Sequence, residues 1–542
     1  MKSAGKARSN GLYRHIRTSK EIIRNLLNDF VKDYAKGFFM SHIIPTPLFE
    51  KTDETKRLFI KSLSLDERNV NGSVKDDFYD FICKLELPVG NDVVVSFTHD
   101  FSLENEEYRL EVNEKITMYS SGEAGKVFAL QTLKQLLFEY GRTIPFIEIK
   151  DKPKYKIRGF MLDVGRYFYP VDEVKLFIRK MSLHKLNFLH LHLTEDQGWR
   201  VEIYKYPLLT QIGSVRKKTN FNHRQHKGYY TKAQIKSIVK YAHDFGISVM
   251  PEFDIPGHSR SALACYNYLG CFERNLPVAD HWGVKHDVLC AGKESTYEFV
   301  EDIVDELCEL FPDKYFHIGG DEVPKHRWHH CPHCQAMMKK LGLNNEDELQ
   351  CCFMNRINDY CAGKNKQAFM WSWDLKDDKL LSENLGFTKC GDINTGGRPF
   401  VDTSSKAYYI DLPYGYISLK DTANHKLYDG NCLGAEATLW TEYVPNMKKA
   451  DKMTYPRLGA MCETVWRGEN SYEQFHNKLD YYYSYLDKNR IGYSKLYFAN
   501  PNRALGFLQR IWFEKRQLTW EGLANIFDDL KVKYIAKKNS NL

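Results

Sequence analysis

The sequence predicts an α/β chain built around a (β/α)8 TIM barrel, preceded by a small α+β domain and followed by a C-terminal helical extension. Two observations predict it. From Lys156 onward, eight short apolar segments alternate with longer amphipathic ones, the rhythm of β/α units on a parallel sheet. The C-terminal ends of those segments carry acidic residues, at the face where a barrel gathers its βα loops. The boundaries read as 1–43 for an N-terminal helical extension, 44–152 for the small domain, 153–494 for the barrel and 495–542 for the C-terminal extension.

In chain order, "EIIRNLLNDFVKDYAKGFF" reads as a basic amphipathic helix, more simply a packing helix than a membrane one. In the small domain, "DVVVSFTHD" and "YRLEVNEKITMYSS" read as strands. "AGKVFALQTLKQLLFEY" places Val127, Leu130, Leu133, Leu136 and Leu137 at helical spacing. The barrel strands are expected at "RGFMLDV", "FLHLHL", "SVMPEFD", "KYFHIGGD", "QAFMWSW", "GFTKCGDI", "AYYIDL" and "CLGAEATLW". Between them, "STYEFVEDIVDELCELF" opens with a Ser295 to Glu298 capping box and carries an apolar stripe. "TKAQIKSIVKYAHDFG" stops at Gly246, as a helix end should.

The 542 residues are 43% hydrophobic and 27% charged, ordinary for a globular protein with substantial cores. The net charge of +7 is scattered among nearly as many acids, so no nucleic-acid partner is expected. No apolar run is long enough for a membrane span, and no apolar segment follows the basic start. Thirteen scattered cysteines favour free thiols in a reducing compartment over a disulfide framework. A cytoplasmic location is therefore expected, with export as the alternative if the first residues replace a removed signal. Oligomeric state is not readable.

The acids carry the chemistry. Asp163, Asp196, Asp254, Asp321 with Glu322, Asp411 and Glu442 each follow an apolar segment. Strand-to-helix loops favour Asp as a cap or turn former, so any one of these alone is weak evidence. As a set, with Arg158, Trp373, Tyr409 and Trp440 nearby in the pattern, they suit a sugar site. Rings cover the apolar face of a pyranose while acids and arginine hold hydroxyls. Glycosidic cleavage commonly uses a carboxyl pair, one member with a raised pKa. Asp321 and Glu322 are adjacent on an extended segment, point in different directions, and are expected to differ in role.

Over residues 44 to 493 the chain resembles the family-twenty β-N-acetylhexosaminidases. The motifs that carry the resemblance are "RGFMLDVGRYFYP", "LNFLHLHLTEDQGWRVEI", "VMPEFDIPGH", "HIGGDEV", "CPHCQ", "AYYIDL", "LWTE" and "YPRLGAMCETVW". The resemblance implies a retaining exo-glycosidase that removes terminal β-linked N-acetylglucosamine or N-acetylgalactosamine. The substrate's own 2-acetamido group attacks the anomeric carbon to give an oxazolinium intermediate. It implies that Asp321 orients the acetamido N–H and that Glu322 is the general acid and base, with the Asp321 charge helping to keep Glu322 protonated. It places Tyr409 on the acetamido carbonyl, Arg158 and Glu442 on the C3 and C4 hydroxyls and Asp411 on the C4/C6 side. Trp440 and Trp373 wall the pocket, with Trp371 the alternative to Trp373. Asp254 and His258 stand behind the pair, with Asp196. The sixth strand, "GFTKCGDINTGG", lacks the Trp that the family usually supplies there, which puts the N-acyl specificity in question.

No cofactor and no metal are expected. "HHCPHC" at 329–334 has ligand residues, but a second CxxC is missing. His190 and His192 alternate with leucines and read as interior histidines. The alternatives to an exo-enzyme are a disaccharide-releasing relative and a catalytically impaired sugar-binding protein on the same fold. Intact Asp321, Glu322, Tyr409 and Arg158 favour the enzyme.

Overall fold

The computed structural model describes residues 41–67, 70–219, 224–372, 379–392 and 394–517. The N-terminal helix expected before residue 41, Trp373 and the end of the C-terminal extension lie outside the described residues.

The small domain is a six-stranded sheet with two helices. Its strands run in the order Phe49–Phe59, Thr143–Asp151, Tyr108–Val112, Ile116–Ser120, Val93–His99, Leu63–Leu65. The segment "YRLEVNEKITMYSS" is an antiparallel hairpin with Val112 opposite Ile116. The helix Glu123–Tyr140 is buried almost all round, including the polar Gln131 and Lys134. It is sandwiched between its own sheet and the barrel. Lys134 pairs with buried Asp77 at 2.7 Å, and Gln131 reaches Ser182 on a barrel helix at 3.1 Å.

The barrel strands are β1 Ile157–Asp163, β2 Phe188–His192, β3 Ser248–Ile255, β4 Tyr315–Gly319, β5 Gln367–Trp371, β6 Gly386–Lys389, β7 Phe400–Asp402 and β8 Cys432–Leu439. All eight pair in parallel, and β8 closes on β1. Seven of these fall on the expected segments. The seventh does not: β7 is Phe400–Asp402, and "AYYIDL" follows it as a crossing loop in which Tyr409 makes one bridge to Thr438. The three residues of β7 are too short to stand out as an apolar run, while Ala407, Tyr408 and Ile410 are buried for a different reason, packing over the end of β8.

Alternate residues of each strand point inward, and the lumen is layered accordingly. Ile157, Phe188, Met250, Phe369 and Val401 form an apolar plug at the N-terminal end. Above it lie polar residues, among them His190, Glu252, His317 and Glu436, all buried. The helices around the barrel follow the apolar stripes. Lys232–Asp244 has the full capping box of Thr231 and Gln234, and Gly246 follows it at φ +70°. The helix Glu294–Leu310 begins one residue before Ser295, so Ser295 makes no cap there.

Candidate active site

The C-terminal face of the barrel opens into a cavity of about 240 Å³. Arg166, Asp321, Glu322, Trp371, Cys390, Tyr409, Asp411, Trp440, Glu442 and Phe513 line it. The turn after β4 brings the carboxyl pair there. Gly319 and Gly320 take φ +63° and +99°, and Glu322 itself has φ +47°, a left-handed conformation that costs an L residue free energy and is typical of sites that need one side chain aimed. A Cβ on Gly319 would come 1.8 Å from Asp254 Oδ1, so glycine there is what admits Asp254.

Asp321 is held in the wall, and its Oδ1 has no hydrogen-bond partner among the described residues. Glu322 is more open, with its side chain 42% exposed. His258 lies behind both, its Nε2 3.8 Å from Asp321 Oδ2 and 3.5 Å from Glu322 Oε2. The Nδ1 of the same ring is 2.7 Å from Glu195 Oε1. Burial pushes the Asp321 carboxyl up to about 7, with the Glu322 and Glu252 charges adding to the rise and His258 opposing it. Glu322 moves the other way. The His258 imidazole, 3.5 Å away, holds it below the usual carboxylate range, against a smaller effect of burial. The expectation that Asp321 keeps Glu322 protonated is thus reversed in the free site, because the imidazole sits nearer to Glu322 and Asp321 is the more deeply buried.

Arg158 is not in this cavity. It stands near the start of β1, five residues before Asp163, or about 16 Å along a strand. There it makes a two-pronged bond to Glu106 of the small domain at 2.7 and 2.9 Å and donates to the carbonyls of Lys185 and Tyr155. The arginine at the mouth is Arg166, from the loop after β1. It lies 3.1 Å from Asp163, 3.4 Å from Glu195 and 3.3 Å from Glu442, with its guanidinium 5.0 Å from the Trp440 ring centroid. Burial disfavours its charge, but the three carboxylates outweigh that and hold it protonated.

Trp371 takes the pocket wall. Its indole N–H donates to Glu252 at 2.6 Å, and its ring lies 5.2 Å from that of Trp440. Glu252 also contacts His190, His192 and His317 at 3.0, 2.6 and 3.1 Å. Although burial alone would raise it, this ring of imidazoles holds Glu252 well below the ordinary carboxylate value. His190 and His192 are therefore interior residues, as expected, but they brace a wall of the cavity. Tyr409 donates its hydroxyl to Cys390 Sγ at 3.2 Å. Cys390, just past β6, stands in the cavity wall at the strand whose segment has no tryptophan. Asp411 lines the cavity with Oδ1 unpartnered among the described residues, and burial raises its carboxyl well above the usual range. Glu442 is raised for the same reason.

Asp254 and Asp196 stand behind the cavity with His258. Asp254 approaches the Gly320 N–H at 3.3 Å, and Asp196 accepts the Arg260 N–H at 2.9 Å while its other oxygen lies 3.7 Å from His258. Glu195, its neighbour, makes the closer contacts to His258 and Arg166. Phe513 reaches the cavity from the helix Arg503–Gln517 of the C-terminal extension and packs on Tyr443 at 5.2 Å.

The family model for the glycosyl hydrolase family 20 catalytic domain matches residues 155–429 and 410–469, and the model for domain 2 of that family matches 60–152. This chain belongs to glycosyl hydrolase family 20. It is 36% identical over 447 residues to a β-hexosaminidase of Porphyromonas gingivalis, covering 75% of this chain and 57% of that protein. A β-hexosaminidase of Akkermansia muciniphila is 31% identical over 411 residues, covering 70% of this chain and 83% of the relative. The chain thus spans a little over half the length of the Porphyromonas protein. Among solved structures, an exo β-N-acetylglucosaminidase of Vibrio harveyi in complex with N-acetylglucosamine superposes with a TM-score of 0.75 at 26% identity, over 84% of this chain and 79% of that one. A β-N-acetylhexosaminidase of Bacteroides fragilis gives 0.71 at 29% identity, over 83% and 96%. Family membership accounts for the layered architecture, with the small domain fixed beneath the barrel by Arg158 and the mouth left open above. Among the described residues, no helix is long and apolar enough to cross a membrane.

Proposed function

We propose that this family 20 chain is a retaining exo-β-N-acetylhexosaminidase that cleaves terminal N-acetylglucosamine or N-acetylgalactosamine by substrate-assisted catalysis. The observation that carries the reading is the unpartnered, buried Oδ1 of Asp321 beside the exposed carboxyl of Glu322 in one small aromatic-walled cavity. A buried acceptor without a donor is costly unless a ligand supplies one, and an acetamido N–H does so. At about 240 Å³ the cavity is at the small end for ligand pockets, which favours one terminal sugar over a chain passing through.

In this reading the acetamido oxygen attacks the anomeric carbon as the glycosidic bond breaks, and Glu322 delivers its proton to the departing oxygen. Water then opens the oxazolinium at the anomeric carbon and returns a proton to Glu322, so that two inversions retain configuration. The acetamido group is held in attack geometry, where an intramolecular nucleophile reaches an effective molarity on the order of 10⁵ to 10⁸ M. Trp371, Trp440 and Tyr409 enclose it. Arg166 and Glu442 meet the ring hydroxyls, with Asp411 on the far side of the ring.

The free-site protonation fits this sequence of events. With Asp321 near 7 and Glu322 below the normal range, the proton that the pair holds near neutrality resides on Asp321. The acetamido N–H favours Asp321 as a carboxylate, and the sugar removes water from Glu322, which favours its neutral form. Binding therefore moves the proton to the carboxyl that must donate it, past His258.

The test is nitrophenol release from p-nitrophenyl N-acetyl-β-glucosaminide and its galacto epimer, by wild type and Glu322→Gln, with N-acetylglucosamine-thiazoline as inhibitor. Turnover blocked by the thiazoline and reduced roughly 10² to 10⁴-fold by the substitution supports the reading. No turnover of either epimer by the folded protein overturns it.

A further inference from the structure

The motif "CPHC" has no role in the site described above, yet it does not stand alone. Cys271 and Cys290, from the long loop that follows β3, meet Cys331 and Cys334 from the loop that follows β4. The four sulfurs all lie within 4.8 Å of one another. The closest pairs are Cys290 and Cys334 at 3.6 Å, Cys290 and Cys331 at 3.7 Å, and Cys271 and Cys334 at 3.8 Å. None of the four is in a disulfide.

These spacings match a metal. Four thiolates bound tetrahedrally at about 2.3 Å place their sulfurs about 3.8 Å apart, whereas a disulfide needs about 2.05 Å. Soft sulfur ligands in a closed tetrahedron select zinc, and a site with four protein ligands keeps no open position for catalysis. We propose that Cys271, Cys290, Cys331 and Cys334 bind one structural zinc ion that clasps the loop after β3 to the loop after β4.

The surrounding backbone is built for the cluster. Gly270 pairs with Leu289 in an antiparallel bridge, and the Cys290 N–H donates to Leu269 O at 2.8 Å, which sets Cys271 and Cys290 side by side. Cys331 caps the helix Pro332–Leu341, and Cys334 lies in its first turn, where the helix N-terminus favours thiolate. A Cβ at Gly292 would fall 2.2 Å from the carbonyl carbon of His333 and 2.4 Å from Cys334 N. Only glycine lets the first loop press against that turn. The two loops are also joined by the Trp328 indole N–H on Leu289 O at 2.9 Å and by Arg327 on Asp287 at 3.1 Å. Since the second loop starts with Asp321 and Glu322, the ion anchors the far end of the segment that carries the carboxyl pair.

The second CxxC that the sequence lacks is supplied in space by Cys271 and Cys290, which have eighteen residues between them and belong to no ligand motif.

The test uses the full chain, purified under reducing conditions without added metal. Elemental analysis should find about one zinc per chain, falling at least tenfold in Cys331→Ser/Cys334→Ser. Because that variant could fail to fold, the deciding measurement is made on wild type. Chelator-treated, reduced protein is titrated with Co²⁺, and tetrahedral tetrathiolate cobalt absorption saturating at one equivalent is expected, together with protection of four thiols from Ellman's reagent. Wild type without zinc that gives no such absorption, or cysteines paired as disulfides in the reduced preparation, overturns the proposal. None of these readouts depends on glycosidase activity.

Discussion

The Nε2 of His258 lies 3.5 Å from Glu322 Oε2, and the other nitrogen of that ring is fixed 2.7 Å from Glu195 Oε1. The buried Glu195 carboxylate makes the imidazole a strong base, and against the cost of burial it is raised well above its ordinary value. A charged imidazole beside Glu322 explains why the exposed carboxyl of the pair is the more acidic one. It also makes the cluster, rather than either carboxyl alone, the holder of the catalytic proton.

A pH dependence follows. Under the proposed function, the form that binds substrate productively has one proton on the pair, held by Asp321, whose carboxyl burial pushes up to about 7. As pH rises through 7 that proton is lost, so kcat/KM is expected to fall on the alkaline side with an apparent pKa near 7. In Asp321→Asn the alkaline limb should move away from 7, with kcat/KM lowered overall. Initial rates across pH 4 to 9 for both proteins decide this, and an alkaline limb unchanged by the substitution contradicts it.

The same carboxyl bears on stability. An Asp whose folded value is raised from 3.8 to about 7 keeps its proton in the folded state while the unfolded chain has lost it. Stability is therefore undiminished below pH 4, declines as pH rises from 4 to 7, and levels off above. At one pH unit per about 1.4 kcal/mol the cost is at most about 4 kcal/mol. Asp321→Asn should accordingly raise the melting temperature at pH 8 and leave it nearly unchanged at pH 4. Equal shifts at both pH values would show that the ionised Asp321 is not strained by its burial.

What the sequence reveals of this site depends on how locally each residue is determined. Asp321, Glu322, Trp440 and Glu442 follow β4 and β8 directly, so locating the strand locates the residue. Arg158 and Arg166 both occur in "RGFMLDVGRYFYP", and only counting from the strand end separates them: a residue at the mouth must follow Asp163, not precede it. The same counting points to Trp371, at the end of β5, as a wall residue, while Trp373 lies outside the described residues. Nothing in the sequence singles out Glu195 beside Asp196, because side-chain direction in the short turn after β2 has no sequence signature. Cys271 and Cys290 meet the CPHC turn, and Phe513 meets the cavity, through contacts between segments distant in sequence, which periodicity and spacing do not encode.

The two arginines give a direct comparison. Arg166→Lys should reduce kcat/KM roughly 10- to 150-fold, the value of one charge-assisted hydrogen bond at about 1.5–3 kcal/mol, because Lys keeps the charge among Asp163, Glu195 and Glu442 but loses the planar fork. Arg158→Ala leaves the cavity intact and takes the cation from Glu106, which keeps the Asn187 amide at 2.9 Å and whose side chain is 22% exposed. A stability loss of about 2–4 kcal/mol is expected, below that of a fully buried pair, with kcat/KM retained below the melting transition. Denaturant unfolding and steady-state kinetics on both variants test this, and a kinetic defect in Arg158→Ala larger than that in Arg166→Lys would restore Arg158 to the site.

Phe513 extends the argument from the sugar to what it is attached to. Its ring lines the cavity beside Tyr443 from a helix outside the barrel, and under the proposed function it is expected to meet the group attached to the terminal sugar. A ring contact is worth about 0.5–1.5 kcal/mol, so Phe513→Ala should lower kcat/KM about two- to twelve-fold on a disaccharide or longer glycan. An activated aryl glycoside, whose leaving group can stack on Tyr443 alone, should lose less. Because the helix Arg503–Gln517 is also held by Tyr416 on Glu514 at 2.5 Å, the substitution is expected to leave that helix in place, and unchanged circular dichroism and melting temperature check this. Equal losses on both substrates would assign Phe513 to the support of the mouth rather than to recognition of the departing group.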